Sequence, residues 1–206
     1  MIKKTRTSVI QYFIDKKQYK SYLEIGTAHG SNYKKINCQK KVGVEPKKFK
    51  SSTELGILQQ TSDEYFAENW AGNREKFDII FIDGLHIKEQ VLKDIVNSLD
   101  ILNENGIIVC HDILPKTKEA ANPDRHIAMT ESKKWDWNGN CYAAWLRLRE
   151  KRPDLYMGVL NFDYGVGIIK RGTQQTITIP DPVTYEWFDQ NRDKMNIITR
   201  EMLENV

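Results

Sequence analysis

Short β-rich apolar runs alternate along this chain with stretches of helical spacing, a pattern that restricts it to a sheet joined by crossover helices. Tyr22–Gly26 reads as a first strand, with a helix expected from Gly30-Ser31 to just before Cys38. Lys41–Glu45 is a second strand, stopped by Pro46, and Gly56–Gln59 a short third. Ser62-Asp63-Glu64 reads as an N-cap opening a helix over Tyr65–Ala71. Phe77–Asp83 is a fourth strand, so apolar that both faces must be covered. Val91, Leu92, Ile95, Val96, Leu99 and Leu102 recur at helical spacing and predict a helix over Ile87–Leu102. Asn105-Gly106 then turns the chain into a fifth strand, Ile107–Cys110. After the irregular stretch Leu114–Gly139, a helix is expected over Cys141–Glu150 and a hairpin over Leu155–Leu160 and Val166–Lys170. A last helix is expected over Tyr185–Leu203. The class is α/β: five strand–helix steps, then an antiparallel pair.

Length and composition narrow the function. At 206 residues the chain fits one domain, 1–206, with residues 1–20 as an N-terminal helical extension, 114–139 as a lid or insertion and 181–206 carrying the C-terminal helix. With 40% hydrophobic and 10% aromatic residues it collapses into a core. The apolar runs are far shorter than the ~20 residues of a membrane span. Lysines and arginines number 31 against 28 acids, a net charge of +3 that demands no nucleic-acid partner. Lys3, Lys4 and Arg6 precede no apolar signal region. Cys38, Cys110 and Cys141 show no zinc or redox spacing, so free thiols and a cytoplasmic location are expected.

The first strand ends in Glu24-Ile25-Gly26-Thr27-Ala28-His29-Gly30-Ser31. Glycines at 26 and 30 let the backbone turn sharply and a ligand lie against it, with a helix N-terminus beyond. An ordinary strand–helix turn uses the same residues. The dinucleotide fingerprint is absent, because position 28 is Ala. The spacing resembles instead the acidic-x-Gly-x-x-x-Gly loop of class I S-adenosylmethionine-dependent methyltransferases. That resemblance makes Glu24, Gly26, Thr27, Ala28, Gly30 and Ser31 cofactor-binding residues. Glu45, nineteen residues past Gly26, is placed to accept from ribose hydroxyls, although a strand-end acid is often merely solvated. The resemblance puts Ser62-Asp63 at the adenine ring, where a plain helix cap fits equally well.

Phe77–His86 is the strongest signal. Ligands of open α/β sheets bind at the carboxyl ends of strands, and Asp83 and His86 fall at one such end with His111-Asp112 at the next. The run from Phe77 through Asp112 resembles the macrocin and mycinamicin sugar O-methyltransferases and, more distantly, the catechol type. Trp137-Asn138-Gly139 and Asp163–Gly172 (DYGVGIIKRG) extend the resemblance. It implies a Rossmann-like class I methyltransferase fold: a seven-stranded, mostly parallel sheet with an antiparallel last strand and helices on both faces. It further implies that Asp83 contacts the cofactor and ligates a metal, that His86 is the general base, and that Asp112 is a second metal-binding carboxylate. His111 stands where the family has an acid, which weakens Mg²⁺ binding, favours Mn²⁺ or Fe²⁺, or removes His111 from the ligand set.

The resemblance implies an O-methyltransferase using S-adenosyl-L-methionine and a divalent metal, Mg²⁺ or Mn²⁺. Its partner is a small-molecule acceptor, a sugar or glycosylated metabolite foremost, with no nucleic acid and no membrane. A homo-oligomer is permitted by the long last helix. His29 reads as exposed. Trp135, Trp137, Arg125 and His126 suit a substrate lid, or equally a loop anchored in the core. Asn161-Phe162-Asp163-Tyr164 lacks the prolines of the base-methylating signature and is set aside. The rivals are a nicotinamide-dependent oxidoreductase and a non-catalytic cofactor-binding protein.

Overall fold

A computed structural model describes residues 3–72, 74–132 and 136–206. Among them seven strands form one mixed sheet: β1 (Ser21–Ile25), β2 (Lys40–Val44), β3 (Phe77–Ile82), β4 (Leu102–Cys110), β5 (Leu155–Leu160), β6 (Val166–Arg171) and β7 (Ile197–Ile198). The order is β2-β1-β3-β4-β6-β5-β7. The helices are α1 (Arg6–Lys17), α2 (Lys50–Glu54), α3 (Ser62–Ala71), α4 (Lys88–Asp100), α5 (Arg125–Glu131), α6 (Cys141–Lys151) and α7 (Tyr185–Gln190). The chain divides into two compact units, Met1–Leu85 with Lys93–Val109 and His86–Leu92 with Cys110–Val206.

In the first unit β1 lies parallel to both β2 and β3, with Leu23 opposite Val42 on one side and Ile80 on the other. A strand flanked on both edges has no solvent face along its backbone, and all five residues of β1 are buried. Around it α1 buries Val9, Ile10, Phe13 and Ile14, α3 buries Phe66, and β3 buries Phe77, Ile79, Ile80 and Phe81. Each such side chain contributes ~1.5–3 kcal/mol on leaving water. Parallel pairing brings the carboxyl ends of β1, β2 and β3 to one edge of the unit, where Gly26, Glu45 and Asp83 follow.

In the second unit β6 runs antiparallel to β5, and β7 runs parallel to β5 with Val159 opposite Ile197. Its core gathers on Trp145 of α6, whose Nε1 donates to the Met195 carbonyl at 3.1 Å, with Leu146, Met157, Val159, Ile168, Ile169 and Phe188.

Several expected elements differ. The stretch after Gly30 is not an α-helix but a single 3-10 turn, Tyr33–Lys35. Lys41 Nζ takes the Tyr33 and Ile36 carbonyls, both at 2.9 Å, replacing the bonds a longer helix would supply. Gly56–Gln59 contributes one bridge, Leu58 to Val44, instead of a strand. The N-cap of α3 is Thr61, not Ser62: its hydroxyl accepts from the Glu64 amide while Glu64 bonds the Thr61 amide, a capping box. β4 begins at Leu102 and runs straight through Asn105-Gly106, pinned where Asn103 donates to Asp78 and Tyr19 to the Asn105 carbonyl. The long last helix is broken into α7, a 3-10 turn, β7 and a final 3-10 turn. Asn196 adopts a left-handed conformation (φ +57°), and the β-branched pair Ile197-Ile198 then enters the sheet. The seventh strand is therefore this pair.

Candidate active site

In the first unit the bend after β1 is built by backbone. Gly26 has φ +84°, and a Cβ there would lie 2.2 Å from the Asp83 carbonyl oxygen, so only glycine fits. The Gly26 and Thr27 amides donate to Val44, and the Asp83 amide to Ile25. Ala28 is also left-handed (φ +46°), and its amide donates to Glu45 Oε2 at 2.8 Å. Glu45 Oε1 accepts from the Lys47 amide at 3.0 Å, so this acid braces the bend and keeps lone pairs for a ligand. The Thr27 hydroxyl is buried with no hydrogen-bond partner among the described residues. A turn open to close backbone approach, carrying an unanswered buried hydroxyl, fits a polar ligand. Ser31 is exposed, as is His29, whose ring lies 4.1 Å from that of Phe49.

Glu24 is 1% exposed. Its carboxylate accepts from Tyr22 Oη and from Asn32 Nδ2 at 3.0 Å, and Asn32 Oδ1 in turn accepts from Thr7 Oγ1 at 2.7 Å. Burial pushes the carboxyl up to about 7, with Asp83 adding to the rise and Tyr22, Asn32 and Arg6 opposing it. Asp83 faces Arg6, Nε to Oδ2 3.7 Å. Ser62 opens α3, and Asp63 accepts from Lys93 Nζ at 2.6 Å on the surface. Tyr22 was legible as a partner of Glu24, because residues two apart on a strand share a face. Nothing in the sequence announced Asn32, Thr7 or Arg6.

In the second unit side chains carry the arrangement. Asp112 follows β4 at φ +59°, a conformation uncommon outside glycine and typical of functional positions. Its carboxylate accepts from Asn138 Nδ2 and meets His86 Nε2 at 3.3 Å and His111 Nδ1 at 3.1 Å. The other nitrogen of His111 faces Asp163 Oδ1 at 3.6 Å. Both nitrogens of His111 thus face carboxylates. His86 Nδ1 lies 3.1 Å from the Trp137 carbonyl, which only accepts, so Nδ1 donates there while Nε2 faces Asp112 Oδ2 at 3.3 Å.

Trp137-Asn138-Gly139-Asn140 holds this pair. The Trp137 ring lies 4.7 Å from that of His86, and the Asn140 amide donates to the His86 carbonyl at 3.2 Å. Gly139 is required, since its Cβ would fall 1.8 Å from that carbonyl oxygen. Trp137 is itself anchored, Nε1 donating to the Asn122 carbonyl at 2.9 Å, with Arg125 over its ring; His126 sits in the first turn of α5. Trp135 lies outside the described residues. Asp163 and Asn138 are additions the sequence reading did not make. Asp163 falls in the segment that was set aside, and it and Tyr164 have φ +49° and +58°. Tyr164 Oη donates to Asp136 at 2.9 Å, which with burial raises its phenol above the usual range.

Residues 26–113 match the sequence profile of a methyltransferase domain, a stretch a little under half of the chain. Among curated proteins none matches the sequence. Solved structures do. A Staphylococcus aureus protein with a provisional caffeoyl-CoA O-methyltransferase assignment is 21% identical over 84% of this chain and 85% of its own, with TM-score 0.58. A Bacillus cereus O-methyltransferase in complex with S-adenosylhomocysteine is 15% identical over 83% of each chain, TM-score 0.58. The Streptomyces achromogenes O-methyltransferase of tomaymycin synthesis, in complex with S-adenosylmethionine, is 13% identical over 81% of this chain and 79% of its own, TM-score 0.55. In fold the chain is similar to these Rossmann-like O-methyltransferases, and residues 26–113 match a methyltransferase domain. Among the described residues no helix is long and apolar enough to cross a membrane.

Proposed function

We propose that the protein transfers the methyl group of S-adenosylmethionine to a hydroxyl oxygen of a small molecule, a sugar hydroxyl foremost, and that the chain acts as one catalytic domain. The observation that carries this reading is His86, whose Nδ1 meets the Trp137 carbonyl at 3.1 Å and whose Nε2 faces Asp112 at 3.3 Å. A hydroxyl is a poor nucleophile until its proton leaves. His86 Nε2 takes that proton, and Asp112 stabilises the imidazolium so formed. Asn138 holds the Asp112 carboxylate in place, with His111 Nδ1 beside it and Asp163 facing the other nitrogen of His111. The bend at Gly26–Gly30, the Thr27 hydroxyl, Glu24 and Glu45 take the donor, whose sulfonium makes its methyl group electrophilic. Ser31 lies beside the bend, and Ser62 and Asp63 serve the adenine end. The described part of residues 114–139 serves as a substrate lid or insertion.

In this reading, which follows the resemblance of the sequence, Asp83 and Asp112 are the carboxylates that would hold a divalent cation, Mg²⁺ or Mn²⁺, whose preference for oxygen they suit. Such a cation supplies Lewis-acid activation of the acceptor hydroxyl. In this reading His111 orients Asp112 and is not itself a ligand. The methyltransferase-domain match across the glycine bend and both strand-end acids supports methyl transfer over nicotinamide chemistry. Asp83→Ala is expected to lower turnover at least ~100-fold, as expected for loss of an activating group. Normal turnover of that variant in EDTA would end the metal assignment.

A further inference from the structure

The geometry points to a further ligand site in the second unit, at the C-terminal turn of α6, where Arg149 binds the phosphoryl group of a phosphorylated small molecule. A cavity of about 340 Å³ lies there, lined by Arg149, Gln175, Thr176, Ile177, Thr178 and Lys194. It shares no residue with the cluster around His86 and Asp112. Arg149 stands nine residues beyond Asn140, a rise of ~13 Å along the helix.

Arg149 is 8% exposed. Its Nη1 donates to Gln174 Oε1, a neutral partner, at 2.8 Å, and its Nε is buried with no hydrogen-bond partner among the described residues. No carboxylate among the described residues pairs with it; the neighbouring Glu150 is taken by Arg147 and Lys151. Burial lowers the guanidinium below its usual proton affinity, and no acid opposes that shift. The helix dipole favours a cation in the last turn of α6, but the exposed Lys151 meets that need in the same turn. Burying a second cation there, with an N–H left over, is costly unless an anion answers it.

The lining supplies what a phosphoryl group uses. The planar guanidinium fork matches phosphate oxygens. Lys194 adds a second positive charge; its contact to Asp193 at 3.2 Å is an exposed ion pair of the kind that exchanges at little cost. The hydroxyls of Thr176 and Thr178 are further donors, and none of the six lining residues is acidic. The volume exceeds what a bare oxyanion fills and falls within the ~300–1,000 Å³ of small-molecule sites, so the ligand carries a body beyond its phosphate.

The test is calorimetric titration of the full-length protein with inorganic phosphate, glucose 6-phosphate, glucose and citrate. Both phosphate compounds are expected to bind and glucose is not. Arg149→Met is expected to weaken glucose 6-phosphate at least about tenfold, with Arg149→Lys recovering part of the loss. Lys194→Gln changes an exposed side chain and is expected to weaken it about threefold at unchanged Tm; it reads the site even where Arg149→Met does not fold. Wild-type protein that binds neither phosphate compound would overturn the assignment, as would unchanged affinity in Lys194→Gln or in folded Arg149→Met. Citrate bound in preference to both phosphate compounds would overturn the choice of a phosphoryl ligand.

Discussion

The glycine bend of the first unit and the histidine–aspartate cluster of the second solve different problems with different parts of the chain. At the bend, backbone does the work: Gly26 and Ala28 sit at positive φ, and the amides of residues 26–28 are tied to Val44 and Glu45. In the cluster, backbone only presents side chains, and Asp112 alone meets His86, His111 and Asn138. A site made of backbone is damaged by adding atoms. One made of interlocked side chains is damaged by changing a charge.

The contrast is broken most severely at Gly26. A Cβ 2.2 Å from the Asp83 carbonyl, at φ +84°, adds clash to strain. Gly26→Ala is expected to cost about 4 kcal/mol, lowering Tm by roughly 10 °C and abolishing S-adenosylhomocysteine binding. A melting curve and titration matching wild type would show that the bend does not depend on backbone geometry. Asp112→Asn is the complementary change: Asn tolerates φ +59° and keeps the shape, but loses the charge that stabilises imidazolium at His86. Turnover is expected to fall ~100-fold or more with donor affinity within twofold; loss of donor affinity instead would merge the two regions' roles.

A gentler effect separates them by pH. The Glu24 carboxyl, raised by burial to about 7 from 4.5, keeps its proton in the folded protein where the unfolded chain has lost it. Its contribution to stability is fully present below pH 4.5 and is lost as pH rises towards 7. The slope is on the order of 1 kcal/mol per pH unit. Glu24→Gln is expected to flatten that slope in urea unfolding measured across the range, whereas an unaltered slope would locate the titration elsewhere.

Much of the fold was legible because periodicity reports burial. The apolar run of β3, the helical spacing of α4 and the β5–β6 hairpin follow the residues' own patterns. What was hidden depended on single contacts between distant positions. The helix expected after Gly30 gave way to a 3-10 turn through one lysine, Lys41, and the last helix was interrupted at Asn196, where a left-handed residue feeds two isoleucines to β5. Asp83 in the first unit and His86, His111 and Asp112 in the second stood out because strand ends collect chemistry. Asn138 and Asp163 lie in segments that extend the resemblance but carry no role there, since they reach Asp112 and His111 from 26 and 52 positions along the chain.

The stretch Trp137–Asn140 grips His86 by its ring nitrogen and its carbonyl, and grips Asp112 by its carboxylate. Four successive peptide units thereby act as a gauge block, setting the gap between imidazole and acid by covalent dimensions instead of by the yield of a packed interior. Both groups are therefore referenced to one short stretch of chain, and the distance between them is set there.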